Sequence, residues 1–482
     1  MSSFLTRKDK NIFSFSFFYS KIRLGDSMLR VDSRKIQKGD TFLALRGVNT
    51  DGHDYIEKAI QNGASKVIAE SGSYSVETIL VKDTRKYLSE YLKEQFKEMR
   101  KQMTLIGITG TNGKTTTAFF VHSAFHHLKI KAAYIGTVGF YIKDKVRSLN
   151  NTTPDLYDLY ELFREAYEKG CKVIVMEVSS QGISYGRVMG IDFDMALFTN
   201  LTQDHLDYHK TMKNYSLAKK QLFCQLNENG VAIVNNDDSY KNTYLLKENR
   251  NVTYGFTPST YQVIEDHMSI KGTNFTVRYE NKNYMIQSRL LGKYNVYNAL
   301  SCISILHEYG ISMDQIVSIF PMLQAPVGRM EMIPFHENTI LIDYAHTPDA
   351  MENILKTVME LHPKHLYAVF GCTGDRDRGK RPIMTDLILK NCDYAVLTND
   401  DPHNEDPNQI IKDMLEHNSY KNYDVILDRR EAIKRGISFL KETDMLLILG
   451  KGHEEFMIVK EEKIPFNDRK VVESFIKEYQ KN

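Results

Sequence analysis

A glycine-rich stretch in the first quarter of the chain has the residue types that bind nucleotide phosphates. It reads GITGTNGKTTT, Gly107–Thr117, and lies between an apolar run and a segment with a helical apolar face. Glycines let backbone N–H groups close around phosphate oxygens, and the helix N-terminus adds partial positive charge. Lys114 would neutralise the β- and γ-phosphates and the Thr115 hydroxyl would hold Mg²⁺. Ile108 replaces the first glycine of the strict motif, so a plain turn is the competing interpretation, but the context favours ATP binding.

Three further stretches could serve a magnesium-dependent reaction. Glu177 ends the apolar run of MEVSSQG, where an ionised carboxylate is costly unless it meets a cation. His205 of NLTQDHLDYH lies beside Asp204 and is a candidate metal ligand, although a single histidine is more often structural. Lys219 and Lys220 of NYSLAKKQLF are expected near the start of a helix, and their spacing alone favours a solvated pair.

The stretch TNDDPHNEDP, Thr398–Pro407, carries four carboxylates in ten residues. It could be a metal loop, a solvated acidic turn, or a device that reads a positively charged substrate. Its order D-D-P-H-N-E-D lacks the alternating D-x-D-x-[DN]-G of a calcium loop, which removes that kind of metal site. The other two interpretations stay open on this stretch alone.

Polar clusters follow four apolar strands of the last third of the chain. They are Asp343–His346, Gly371–Arg381, Asn399–Asp401 and Gly450–Glu454. In open α/β sheets, side chains at the carboxyl ends of strands line the ligand crevice. We therefore expect the four clusters to share one rim; merely polar loops would explain one cluster more easily than four.

Alternating strand-like and helical patterns predict an α/β fold of three domains. We expect a small N-terminal α/β domain at 1–101, a central domain with a P-loop-type, mostly parallel sheet at 102–328, and a C-terminal Rossmann-like domain at 329–482. The charged segment Lys86–Gln102 predicts a helix that leads out of the first domain. Proline and glycine in QAPVGRME, Gln324–Glu331, mark the second boundary.

Composition narrows the class of partner. Lys+Arg 63 against Asp+Glu 61 leaves a net charge of +2 in 482 residues, so no global field draws nucleic acid or anionic membrane. The five cysteines form no C-x-x-C pair, which suits a reducing cytosol. FSFSFFYS, Phe13–Ser20, is far shorter than a bilayer span and predicts a buried first strand rather than a signal peptide. We expect a cytoplasmic monomer with no nucleic-acid or membrane partner.

Ten motifs resemble, in order, those of the Mur ligases. They are GTNGKTT, NTTPD, MEVSSQG, DHLDYH, the AK of NYSLAKK, GKYNVYNAL, GRME, DYAHTPD, GDRDRGKRP and GKGHE. The resemblance spans nearly the whole chain and is strongest to the subgroup called UDP-N-acetylmuramyl-tripeptide synthetases. Folylpolyglutamate synthetases share the ATP-binding core but typically lack the motif DSR…GDTF. Amidotransferase-coupled relatives usually carry a four-cysteine zinc cluster, which the cysteine spacing here does not provide.

The resemblance implies an ATP-dependent ligase of peptidoglycan synthesis, and hence a role in cell-wall biogenesis, cell shape and division. A carboxylate of UDP-N-acetylmuramoyl-L-alanyl-D-glutamate would attack the γ-phosphate of ATP, and a diamino acid would then attack the acyl phosphate. Family members carry a CO₂-derived carbamate on the lysine of the AK motif, which is Lys219 here. Lys114, Lys219, His205 and Glu177 would be catalytic, and Mg²⁺ would be held by Thr115, Glu177, His205 and carbamylated Lys219.

The resemblance also implies three groups of binding residues. The ATP group is Gly110, Thr111, Asn112, Gly113, Lys114, Thr115, Thr116, Asn298, Arg329 and Asp343. The group for the UDP-muramyl dipeptide is Ser33, Thr152, Thr153, Ser179, Tyr185 and Arg187, with Tyr185 standing where relatives often have glutamine. The amino-acid group is Arg376, Asp400, Asp401, Pro402, His403, Gly450 and Glu454. Closure of the third domain would bring these groups together and exclude water.

The four residues Asp400–His403 predict which diamino acid is added. Relatives that add meso-diaminopimelate typically carry D-N-P-R, whose arginine can grip the far carboxylate in a two-pronged contact. This chain has D-D-P-H; a neutral histidine supplies one donor, and Asp401 adds negative charge suited to an ammonium. The sequence thus favours L-lysine or ornithine, while a protonated His403 leaves meso-diaminopimelate or lanthionine open.

Two other functional classes compete at this level. A P-loop protein could bind nucleotide as a switch without any ligation, and a ligase could act on folate or a poly-amino acid. A switch needs no rim for an amino acid, so the four polar clusters argue against the first class. A ligase of the second class would ignore a UDP-linked muramyl dipeptide.

Overall fold

The computed structural model describes residues 28–47, 50–269, 271–460 and 462–479. Its three large sheets, each with helices, confirm the predicted α/β class. The strand predicted at Phe13–Ser20 lies outside the described residues, and the boundaries after residues 101 and 328 stay predictions. Within the described ranges, no helix is long and apolar enough to cross a bilayer.

The N-terminal sheet has four parallel strands in the order β1-β2-β3-β4. They are β1 Leu29–Arg30, β2 Thr41–Leu43, β3 Lys66–Ala69 and β4 Glu77–Leu80. The helices of this region are α1 Ile56–Gln61, α2 Thr84–Gln95 and α3 Lys97–Arg100, with 3-10 turns at Ser33–Lys35 and Gly52–Tyr55. The prediction of a single helix over Lys86–Gln102 is therefore wrong. The helix is interrupted at Phe96, whose φ of −103° and ψ of 9° are not helical.

The central sheet has eleven strands in the order β15-β14-β13-β12-β11-β10-β5-β9-β6-β7-β8. They are β5 Thr104–Thr109, β6 Ala132–Gly136, β7 Gly139–Tyr141, β8 Lys145–Arg147, β9 Val173–Glu177, β10 Phe193–Phe198, β11 Leu226–Asn235, β12 Arg250–Gly255, β13 Tyr261–Ser269, β14 Gly272–Tyr279 and β15 Lys282–Ser288. The middle strands are parallel and buried on both faces, as parallel strands usually are. β13 to β15 form the predicted antiparallel ribbon.

Helices cover both faces of this sheet. They are α4 Lys114–His127, α5 Leu156–Glu168, α6 Ser180–Ser184, α7 Leu206–His209, α8 Met212–Phe223, α9 Lys293–Glu308 and α10 Met313–Ile319, with 3-10 turns at Lys241–Thr243 and Phe320–Met322. The predicted apolar face of the helix after the phosphate loop is confirmed: Val121, Ala124 and Phe125 are buried, and Leu128 packs against the same core. That packing fixes the N-terminus of α4 against the end of β5.

The C-terminal sheet has the order β16-β17-β21-β18-β19-β20, and only β16 is antiparallel. Its strands are β16 Glu331–Phe335, β17 Asn338–Asp343, β18 Leu366–Cys372, β19 Tyr394–Asn399, β20 Tyr423–Val425 and β21 Met445–Leu449. Its helices are α11 Pro348–Met359, α12 Lys380–Asn391, α13 Pro407–Met414, α14 Arg429–Phe439 and α15 Asp468–Tyr479. A separate hairpin pairs β22 Phe456–Val459 with β23 Glu462–Pro465.

The four polar clusters do share one rim. The register pairs Asp343 with Leu449, Leu449 with Phe370, and Cys372 with Asn399. Because these strands are parallel neighbours, the loops that follow them leave the sheet at the same edge. This edge is where the predicted amino-acid group gathers.

Candidate active site

The phosphate loop folds around its own lysine. Lys114 Nζ donates to the carbonyl oxygens of Gly110 at 3.0 Å and Thr111 at 2.8 Å. Gly113 has a φ of 84°, and a Cβ there would collide with the Asn298 amide oxygen. A side chain at position 113 would therefore block the approach of α4 to α9, which explains the glycine in physical terms.

Glu177 is fully buried and is held by four donors. It accepts hydrogen bonds from Thr115 Oγ1 at 2.8 Å, Tyr134 Oη at 2.5 Å, Thr137 N at 2.9 Å and Thr137 Oγ1 at 3.1 Å. The structure thus brings together two predicted Mg²⁺ ligands from different elements. The Thr115 hydroxyl touching a carboxylate gives the oxygen ligands that Mg²⁺ prefers, so these residues fit the ion.

Lys219 lies in the second half of α8, so the prediction that it is near the helix start is wrong. Its side chain is buried, and Nζ donates to Gly110 O at 2.7 Å. Nζ also lies 4.4 Å from the centroid of the Tyr215 ring. Burial, aided by the nearby charge of Lys114, holds the pKa of Lys219 well below its usual value. A solvated lysine pair is therefore wrong for Lys219; Lys220 is only half-buried.

His205 lies just before α7 with a φ of 53°. Its Nε2 is 3.4 Å from Asp204 Oδ2. Partial burial, helped by the nearby Lys114 and Lys219, lowers the pKa of His205 against the opposing effect of Asp204. The lowered pKa favours the neutral imidazole, which is the form that binds metal ions.

A cavity of about 480 Å³ lies between the central and C-terminal sheets. Six of the ten residues predicted to bind ATP line it: Asn112, Gly113, Thr116, Asn298, Arg329 and Asp343. The Arg329 guanidinium lies 4.6 Å from the Tyr344 ring centroid. Asn112 Nδ2 donates to Asp349 Oδ2 at 2.6 Å, which ties the phosphate loop to the N-terminus of α11. Residues of both the central and the C-terminal sheet regions therefore line one cavity.

Three of the residues predicted for the UDP-muramyl dipeptide form one hydrogen-bonded group beside Glu177. Thr153 Oγ1 lies 3.0 Å from Glu177 O and 3.2 Å from Ser179 Oγ, and Arg187 donates to Thr153 O at 3.0 Å.

The other three lie around this group or apart from it. Thr152 Oγ1 is 3.0 Å from Thr137 Oγ1, which joins it to Glu177. The Tyr185 ring packs against Tyr208 at 5.5 Å between centroids. Ser33 is buried in the N-terminal region, where its carbonyl accepts from Asn62.

The two adjacent carboxylates of the stretch Thr398–Pro407, Asp400 and Asp401, are turned inward. Asp400 and Asp401 are buried, and Lys451 Nζ lies 2.8 Å from Asp401 Oδ1 and 2.7 Å from Glu454 Oε2. Asp401 Oδ1 also accepts from Ile458 N at 2.9 Å. The negative charge of Asp401, which the preference for L-lysine invoked, is therefore already paired within the protein.

The remaining amino-acid residues border this cluster. His403 exchanges backbone hydrogen bonds with the hairpin, from its N to Ile458 O and from Lys460 N to its O. Gly450 has a φ of 111°, and a Cβ there would overlap the Asp400 carboxylate. The Pro402 backbone packs closely over Gly374. Arg376 is exposed and makes no hydrogen bond or ion pair to any described residue, so its guanidinium is free for a carboxylate.

Three family models together match most of the chain. The Mur ligase family catalytic domain matches residues 27–99, the Mur ligase middle domain matches 108–306, and the Mur ligase glutamate ligase domain matches 328–452. The chain is 39% identical over 458 residues to a protein of Bacillus cereus, with 93% of each covered. The chain belongs to the Mur ligase family. Members of this family are ATP-dependent amide ligases that use Mg²⁺.

Two of the similar proteins and one of the similar solved structures have the same name. The Bacillus cereus protein is a UDP-N-acetylmuramoyl-L-alanyl-D-glutamate–2,6-diaminopimelate ligase, as is a Clostridium botulinum protein that is 39% identical over 461 residues, with 93% of this chain and 95% of that protein covered. A solved structure of a ligase with that name matches at a TM-score of 0.69 and 32% identity, covering 95% of this chain and 96% of the other. A Thermotoga maritima ligase with ADP shares the fold at 17% identity and a TM-score of 0.66.

Residues outside the predicted set complete the site. Tyr134 and Thr137 hold Glu177, and Lys451 holds Asp401 and Glu454. Lys451 lies inside the GKGHE motif, between Gly450 and Glu454, which were both predicted to bind the amino acid. Its place in the motif could therefore have identified it from the sequence. Tyr134 carries no such signal, because only the pairing of β6 with β9 brings its hydroxyl to Glu177.

Proposed function

We propose that this Mur ligase joins a diamino acid to the glutamate of UDP-N-acetylmuramoyl-L-alanyl-D-glutamate in peptidoglycan synthesis. The observation that carries the proposal is the convergence of Lys114 and Lys219 on Gly110 O beside the Thr115–Glu177 pair. The names of its relatives support the same substrate. We also propose that the enzyme is cytoplasmic and monomeric and that it binds neither nucleic acid nor membrane.

Each group of residues has a defined task in this reaction. Lys114 and Arg329 neutralise phosphate charge, and Asn298 and Asp343 orient the nucleoside. Thr153, Ser179 and Arg187 hold the peptide acid next to Glu177, which shortens its path to the phosphates. When bound to Thr115, Glu177 and His205, Mg²⁺ would neutralise developing charge on the transferred phosphoryl group. Arg376 and Glu454 hold the head of the amino acid.

Lys219 is proposed to act as a carbamate. Only a neutral amine attacks CO₂, and the depressed pKa of buried Lys219 favours that form. Addition of the neutral amine to CO₂ releases a proton and leaves a carbamate anion, which the nearby charge of Lys114 attracts instead of repelling. The anion would be able to hold Mg²⁺ where an ammonium would repel it.

For the amino acid, we propose a diamino diacid such as meso-diaminopimelate ahead of L-lysine. The relatives' names favour it, and the pairing of Asp401 with Lys451 removes one reason to expect a terminal ammonium. The chain still has histidine where the resemblance leads us to expect arginine, so His403 would have to meet the far carboxylate. L-lysine, ornithine and lanthionine are the alternatives that the test must separate.

A substrate panel tests this proposal. Purified protein, ATP and UDP-muramyl dipeptide are combined with meso-diaminopimelate, lanthionine, L-lysine or ornithine, and ADP release and product mass are measured. We expect kcat/KM for meso-diaminopimelate to exceed that for L-lysine about 10- to 100-fold, since a charge-assisted contact to the second carboxylate contributes about 1.5–3 kcal/mol.

The variant His403→Ala identifies the side chain responsible. It should reduce kcat/KM for meso-diaminopimelate about tenfold and leave that for L-lysine unchanged. His417→Ala, an exposed histidine with a similar positive φ, is the matched control. Higher kcat/KM for L-lysine in the native protein would overturn the choice of diacid, and ADP release without dipeptide or amino acid would overturn the ligase itself.

A further inference from the structure

A buried lysine lies at the centre of three carboxylates in the amino-acid pocket. Lys451 Nζ is 2.7 Å from Glu454 Oε2, 2.8 Å from Asp401 Oδ1 and 3.8 Å from Asp400 Oδ1, and its side chain is 0% exposed. Enclosing an ammonium in this way is costly unless every partner is well placed. The proposed function assigns Glu454 to the substrate but gives Lys451 no task.

We propose that Lys451 is a positioning residue for the amino-acid substrate, holding Glu454 by one carboxylate oxygen so that the other faces the incoming ammonium group. The inference rests on the proposed function. The Glu454 side chain is 29% exposed, and its Oε1 accepts no hydrogen bond from any described residue, while Oε2 is fixed by Lys451. The buried lysine therefore sets the direction of a half-exposed carboxylate.

The charges around Lys451 support this role. Arg429 and Asp468 form a buried ion pair of their own, which leaves one lysine against Asp400, Asp401 and Glu454. With all three carboxylates ionised, the cluster carries one positive and three negative charges. A substrate ammonium would reduce this excess of negative charge, and an uncharged amine would not.

The titration of Glu454 gives the pocket a pH dependence. Burial raises the pKa of Glu454 to about 7; Lys451 opposes the rise, while Asp400 and Asp401 add to it. Two further neighbours stay neutral near pH 7, because burial lowers the pKa of His453 to about 3 and raises that of Tyr344. Burial also raises the pKa of Asp400, while Lys451 and Arg429 oppose that rise. Glu454 gains its charge as the pH rises through about 7, so binding of an ammonium should strengthen in that direction.

A charge-compensated pair of variants separates positioning from simple neutralisation. Lys451→Met alone leaves three unpaired carboxylates and could prevent folding. Lys451→Met combined with Asp401→Asn removes one charge of each sign, and Asn is the residue found at that position in the D-N-P-R relatives. The comparison is between this double variant and Asp401→Asn alone, with thermal unfolding measured for both.

We expect the double variant to raise KM for the diamino acid about tenfold over Asp401→Asn, with KM for ATP changed less than about twofold. In the native protein, kcat/KM for the diamino acid should fall on the acid side of about pH 7. Lys451 lowers the pKa of Glu454, so this acid limb should lie at higher pH in the double variant than in Asp401→Asn. Lys460→Met, an exposed lysine of the neighbouring hairpin turn, should leave both unchanged.

Two results would overturn the inference. An unchanged KM and an unmoved acid limb in the folded double variant would mean that Lys451 only neutralises buried carboxylates, and the proposed function would stand. A native protein that releases no ADP in response to any diamino acid would overturn the proposed function and this inference together.

Discussion

Replacing Lys219 with alanine should lower kcat at least about 10³-fold. The side chain is buried, contacts Gly110 O and lies close to the charge of Lys114, so its loss removes the proposed carbamate from the centre of the site. A short carboxylate such as acetate should restore part of kcat, because it can supply the missing anion. The measurements are ADP release and the ¹³C NMR signal of a carbamate after incubation with labelled bicarbonate.

Lys220→Ala is the matched control for this prediction. Lys220 is the next residue of α8 but is only half-buried, and its truncation should leave kcat within about twofold. The carbamate signal should persist in Lys220→Ala and vanish in Lys219→Ala. Native rates in Lys219→Ala, or a carbamate signal that survives there, would refute the assignment.

Lys114→Met is expected to lower kcat/KM for ATP about 10³-fold. Lys114 is enclosed by the loop that should receive the phosphates, where it touches Gly110 O and Thr111 O. Methionine keeps most of the length of the side chain but removes the charge proposed to neutralise the γ-phosphate as it is transferred. Steady-state ADP release measures the loss of turnover, and calorimetric titration with ATP measures the loss of ATP binding.

The control for Lys114 is Lys129→Met, an exposed residue just beyond the opposite end of α4. It should change neither ATP binding nor turnover. Equal losses in both variants would indicate damage to the helix rather than to phosphate binding. Turnover in Lys114→Met within tenfold of the native protein would contradict the phosphate-binding assignment.

Much of the fold was predictable because its signals are local. The buried runs that became β5, β9 and β10 are short, apolar and followed by helical patterns, as in parallel sheets. The ribbon of β13 to β15 was predictable for the same reason, from alternation along the chain. The break at Phe96 was missed, since a charged helical pattern continues across it and no proline or glycine marks the place.

The candidate site was predictable in its residues but less so in their surroundings. Glu177 and Thr115 were assigned to one ion from their motifs, and they are in contact. The preference for L-lysine used the charge of Asp401, and its pairing with Lys451 became evident only in the fold. A charge can be counted in a sequence, whereas its partner depends on which loops leave the sheet at the same edge.

The sequence by itself determined the class of chemistry, because a phosphate loop and the motifs that follow it are contiguous runs whose function depends on local order. The tertiary structure alone decided the contacts of the key groups and the directions in which their pKa values shift. Lys219 meets an acceptor 109 positions away, and Lys451 meets Asp401 across 50 positions. Burial and neighbouring charge control the pKa of such groups, and both arise from contacts that separate segments make only after folding.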